Sequence, residues 1–104
     1  DIALVLQPST DLTPYERVHL ELDIEIDIEA QCDVPRADVR SIDQAPLRVQ
    51  GEVVTHGLLL YCADEAARVA YEVSIRRRYF DLQPTLAKIR AAYFADLIGI
   101  DEAT

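Results

Sequence analysis

Val18, Leu20, Leu22, Ile24, Ile26 and Ile28 alternate with mostly acidic residues, and this stretch constrains the fold more than any other part of the chain. A period of two is the mark of a strand with one buried face. Immediately upstream, however, Thr13-Pro14-Tyr15-Glu16 is a helix start: a hydroxyl N-cap, proline at the first helical position, and glutamate three after the cap. Wound as a helix, the same residues fall into two stripes. Tyr15, Val18, Leu22 and Ile26 lie on one side, and His19, Leu20, Ile24 and Ile28 on the other, so the helix should be sandwiched. The cap, the glutamate content and a length beyond that of an ordinary strand favour the helix. Glu21, Glu25 and Glu29, four apart, repel one another and oppose it.

Around this segment the chain alternates strands and helices. The apolar run Ile2-Ala3-Leu4-Val5-Leu6, ended by Gln7-Pro8-Ser9, predicts a first strand covered on both faces. Residues 32–36 form a turn, and 37–42 a second strand with Asp38 near its start. Asp43 is the expected cap of a helix through His56, stopped by Gly57. Leu58-Leu59-Leu60-Tyr61-Cys62 predicts a third strand. Asp64 caps a longer helix carrying Ala66, Val69, Ala70, Val73 and Phe80. Asp81 opens a last one with Leu82, Leu86, Ile89, Tyr93 and Leu97 on one face and Gly99 at its end. The order β-α-β-α-β-α-α is that of an α/β domain spanning residues 1–98, with 99–104 as a tail.

Composition narrows the function classes. The 104 residues are half apolar, enough for one packed domain, and no apolar run approaches the length of a membrane span. Nineteen acids against ten bases give a net charge of −9, which repels phosphate backbones and argues against direct binding of nucleic acid. The acids concentrate early: residues 1–50 carry eleven acids and four bases, and 51–104 eight and six. Arg76-Arg77-Arg78 is the one basic cluster, expected on the solvated last turn of a helix. Cys32 and Cys62, without a metal-type spacing, suit idle or buried thiols in a reducing cytoplasm. The chain holds no methionine and opens inside an apolar stretch, which leads us to expect that the biological chain continues upstream.

Glycine-rich phosphate loops and zinc-type Cys/His spacings are absent, and His19 and His56 are expected to be structural. The remaining candidates for chemistry are carboxylates. Asp1 at the mouth of the first strand and Asp38 at the second could meet on adjacent strands, and two such carboxylates can hold Mg²⁺ with room for substrate phosphates.

The chain resembles the minimal nucleotidyltransferases of the polymerase-β superfamily, the antitoxin half of HEPN/minimal-nucleotidyltransferase toxin–antitoxin pairs. Asp1-Ile2-Ala3-Leu4-Val5-Leu6 is similar to the end of the motif Gly-Ser-x-x-x-Asp-x-Asp and its apolar strand, with Asp1 at the second motif aspartate. Asp38-Val39-Arg40 resembles the later strand holding the third. Gly57-Leu58-Leu59-Leu60-Tyr61, Asp64-Glu65-Ala66-Ala67-Arg68-Val69 and Arg78-Tyr79-Phe80-Asp81 resemble the Gly-x-x-Leu-Tyr strand, the helix after it and the closing aromatic segment. The resemblance implies a polymerase-β-like mixed sheet with helices packed on it, here without the strand and helix that precede the motif, and without the Gly-Ser pair and first aspartate.

It further implies an antitoxin enzyme that transfers AMP from ATP to a hydroxyl, a tyrosine in the family, of a HEPN ribonuclease toxin. Asp1 and Asp38 would be metal ligands and catalytic groups for two Mg²⁺ ions, with Asp38 beside the attacking hydroxyl. The alternative is a catalytically incomplete module that neutralises the toxin by binding it, drawn to its basic RNA-binding face by the acidic surface. Either function is consistent with a homo- or hetero-oligomer.

Overall fold

The computed structural model describes residues 1–98; the expected tail lies outside the described residues. The chain folds as β1 (Ile2–Leu4), α1 (Pro14–Cys32), β2 (Val39–Ser41), α2 (Leu47–His56) and α3 (Glu65–Ile98). It is a mixed α/β fold, mostly helical, with a two-stranded sheet. The strands run parallel in the register Ile2 to Val39, Ala3 to Arg40 and Leu4 to Ser41. Ile2 N–H donates to the Asp38 carbonyl at 2.8 Å, and Ile42 N–H to the Leu4 carbonyl at 2.8 Å.

The capping box decides between the two readings of the alternating stretch. Thr13 Oγ1 accepts from Glu16 N–H at 3.1 Å while a Glu16 carboxylate oxygen accepts from Thr13 N–H at 3.0 Å, and Asp33 closes the helix in the left-handed conformation. The helix is not sandwiched. Leu20, Ile24 and Ile28 are partly covered, whereas Tyr15, Val18, Leu22 and Ile26 are exposed at 50% or more.

Two expectations about the second half are corrected. Leu58-Leu59-Leu60-Tyr61 forms no strand; all four side chains are exposed, and no backbone hydrogen bond joins them to another segment among the described residues. The outer N–H groups of β2 are taken by side chains of α1, as described below, and Leu58–Tyr61 does not pair with the other edge of the sheet, that of β1. The helices expected at 64–80 and 81–98 are one helix. Asp64 caps it, accepting from Ala67 N–H at 3.1 Å, and Asp81 is an interior position. Pro84 removes one N–H donor to the Phe80 carbonyl, yet the helix continues through it; Phe80 is exposed, so water can reach that carbonyl. Asp43 likewise does not cap α2, which starts after Pro46.

The buried apolar core is small: Val39, Ile42 and Ile75. It lies where β2 and the segment after it meet α1 and where α2 crosses α3. At that crossing Gln50, buried at 8% exposure, donates to the Ala45 carbonyl and accepts from Tyr71 O–H at 2.7 Å. Gly51 lets the Tyr79 ring lie directly on α2, and a Cβ at position 51 would overlap that ring. Gly51→Ala should therefore destabilise the fold by about 1–2 kcal/mol, overpacking outweighing the roughly 1 kcal/mol gained in helix propensity. Urea unfolding measures this; a variant as stable as the parent would mean that the crossing is loose.

Candidate functional site

Pairing of β1 with β2 sets Asp1 and Asp38 side by side at the starts of neighbouring strands. Both open on a cleft of about 570 Å³ whose other lining residues are Glu25, Glu29, Arg36, Ala37 and Arg40. Arg40 Nε donates to Asp38 Oδ1 at 3.0 Å, which occupies one oxygen of that exposed carboxylate and raises the Arg40 pKa above its ordinary value.

The wall of the cleft is made by α1. Ala37 N–H donates to Glu29 at 2.9 Å, Val39 N–H to Glu25 at 2.8 Å, and Ser41 N–H to Glu21 at 2.8 Å. Ser41 O–H adds a second bond to Glu21 at 2.6 Å. A helix rises about 6 Å over four residues and a strand about 6.6 Å over two, so glutamates spaced by four can meet alternate N–H groups along one strand edge. Sequence reasoning counted these three acids only as a repulsive row. The signal that could have revealed their role was the match between that spacing and the every-second-residue N–H groups of an unpaired edge.

A second link was also missed. Arg17 forms a two-pronged ion pair with Asp43, at 3.0 and 2.9 Å, tying the first turn of α1 to the segment after β2. Both side chains are mostly covered, and the Arg17 guanidinium holds the Asp43 carboxyl below its usual range. Among the described residues Arg17 Nε is buried without a hydrogen-bond partner.

The other candidates stay apart from the cleft. His19 sits on the exposed flank of α1 against Asp23 at 3.2 Å, and His56 ends α2 beside Glu52 at 3.6 Å. Arg76, Arg77 and Arg78 lie in the interior of α3 rather than its last turn, with Arg76 donating to the Val54 carbonyl. Cys32 is exposed and Cys62 half-buried, both as free thiols.

Among the described residues no group of three or more His, Cys, Asp or Glu side chains is placed to hold a metal ion. Glu25 and Glu29 line the cleft but are engaged by backbone N–H donors, leaving two carboxylates, Asp1 and Asp38, where a two-ion centre needs a third. The residues present do not complete such a centre. Among the described residues no helix is long and apolar enough to cross a membrane. Comparison with protein-family models, curated proteins and solved structures finds no match to the chain.

Two outcomes test this geometry. Glu21 is held ionised below its ordinary 4.5 by the Ser41 hydroxyl and N–H bonds. A depressed carboxyl pKa stabilises the fold above the unfolded value and ceases to do so as pH falls through the folded one. Thermal stability should thus decline as pH drops below about 4.5, and Glu21→Gln should have a shallower decline; parallel pH profiles would contradict the edge contact. Asp43→Asn should cost about 1–3 kcal/mol in chemical denaturation, because Arg17 keeps its charge and loses its partner while part-covered. An unchanged midpoint would show that the pair is dispensable.

Proposed function

We propose that this chain is part of a minimal nucleotidyltransferase of the antitoxin type, transferring AMP from ATP to a hydroxyl, a tyrosine in the expected case, of a cognate HEPN-type toxin. The observation that carries the reading is the convergence of Asp1 and Asp38 from adjacent strands onto one cleft that Arg36 and Arg40 also line. The Arg36 guanidinium, and that of Arg40 beside its bond to Asp38, can meet the oxygens of a triphosphate directly.

In the transfer, the toxin hydroxyl oxygen bonds to the α-phosphorus as the bond to the bridging oxygen breaks, and pyrophosphate leaves. Asp38 is the proposed acceptor of the hydroxyl proton. Its tie to Arg40 holds one carboxylate oxygen in a fixed direction, which orients the other for this role.

A second reading rests on a different surface. Tyr15, Val18, Leu22 and Ile26 form an exposed apolar stripe on α1, flanked by Asp23 and Asp27. An acidic, apolar-striped helix suits a domain that neutralises a basic toxin by covering it.

Mass spectrometry separates the two. The intact protein incubated with the toxin, ATP and Mg²⁺ should add AMP to the toxin, and Asp38→Asn should lower that transfer at least about 100-fold with an unchanged circular dichroism spectrum. A toxin that is inhibited but unmodified would overturn the transferase reading in favour of the cover.

A further inference from the structure

Among the described residues four connectors join the helices and strands, and three of them are tied down. The one before α1 carries Pro8 and closes on itself, Thr10 N–H donating to the Gln7 carbonyl at 2.9 Å. The one between α1 and β2 carries Pro35, and its Ala37 N–H is held by Glu29. The one after β2 carries Pro46, with Ala45 N–H on the Ile42 carbonyl at 2.9 Å and Asp43 paired with Arg17. The fourth, residues 57–64 between α2 and α3, is different. It holds no proline, and among the described residues Leu58, Leu59, Leu60 and Tyr61 form no backbone hydrogen bond. Leu58, Leu60 and Tyr61 are exposed at 84%, 73% and 82%.

An endopeptidase takes its substrate as an extended strand: the main chain pairs with the enzyme while alternate side chains enter pockets. That requires free N–H and C=O groups as well as accessible side chains, and proline supplies no N–H and fixes φ. Exposure of a fitting side chain alone is therefore insufficient. Phe80 and Tyr93 are exposed at 76% and 68%, yet both lie inside α3, where helix hydrogen bonds engage the main chain. Only residues 57–64 combine an unpaired main chain, apolar side chains in water and freedom from proline.

We propose that this connector is a cleavage site for an endopeptidase whose specificity pocket takes an aromatic or leucine side chain, cutting within residues 58–62, and that the cut chain stays together. Water adds across the peptide bond that breaks; the residue before it takes the new carboxylate and the residue after it the new amine. The cut falls outside both helices, since α2 ends at His56 and α3 begins at Glu65 with its cap at Asp64. The pieces remain joined where α2 crosses α3: Tyr71 O–H donates to Gln50, Tyr79 O–H to Glu52 and Arg76 to the Val54 carbonyl, around Ile75 at 1% exposure. Asp1, Arg36, Asp38 and Arg40 all lie upstream of the cut, so the cleft stays on one piece, which α3 then holds without a covalent link.

Limited digestion of the whole chain tests this without toxin or nucleotide, and so independently of the transferase reading. Chymotrypsin, whose pocket is an apolar slot, is the probe. Mass spectrometry should place the first cut within residues 58–62, and the cut chain should elute from a sizing column as one species in buffer and as two in urea. Leu58→Ser, Leu59→Ser, Leu60→Ser and Tyr61→Ser made together should slow loss of the intact chain at least about 10-fold, because the pocket loses its apolar occupant, with the circular dichroism spectrum unchanged. A first cut elsewhere in the chain, equal lifetimes for parent and variant, or pieces that part in buffer would each overturn the proposal.

Discussion

Three backbone N–H groups on the outer edge of β2 and of the residues leading into it face away from β1, and the carboxylates of Glu21, Glu25 and Glu29 are what they bond to. Two strands of three residues each cannot hold a fold by themselves. Laying α1 across the edge solves that problem with side chains rather than with another strand: each N–H gains a carboxylate acceptor, and each glutamate gains a donor that offsets repulsion from the next one along the helix. The arrangement also blunts the edge against pairing with foreign chains. With α1 fixed in this way, Val39 turns into the core and Asp38, one residue earlier, opens on the cleft beside Asp1.

What could be read from the sequence follows the range over which each signal acts. The capping box at Thr13 to Glu16 is local, and it correctly outweighed a strand-like alternation across the following residues. The first two strands and the cap at Asp64 were likewise visible in their own residues. The third strand was not a local question. Leu58 to Tyr61 has every feature of a strand except a neighbour, and whether an edge is open depends on residues far away in the chain. Asp81 looked like a helix opener because aspartate favours that position, but a long helix already propagating from residue 65 continues through it and absorbs the single bond lost at Pro84. At the cleft, Asp1 and Asp38 were legible as strand openers, while Arg40 as partner of Asp38, and the glutamates as its wall, emerge only once α1 is placed.

The molecule divides its chemistry between two regions of different charge. The acidic early half builds the cleft and uses its carboxylates structurally, so most of the negative charge near the candidate site is already engaged by N–H donors or by Arg17. The later half, closer to neutral, builds a helix pair around Gln50, Gly51 and Tyr79. Arg17 with Asp43 stands at the join between them, beside Ile42.

The bare run from Leu58 to Tyr61 has a bearing on solubility. It is uncharged, rich in leucine and follows the extended backbone of Gly57, a composition that favours stacking of identical copies. Asp64 and Glu65 follow within a few residues and act as gatekeepers: stacking the run would crowd their like charges together. Neutralising Asp64 would thus weaken the N-cap of α3 and remove one of the charges that oppose such stacking.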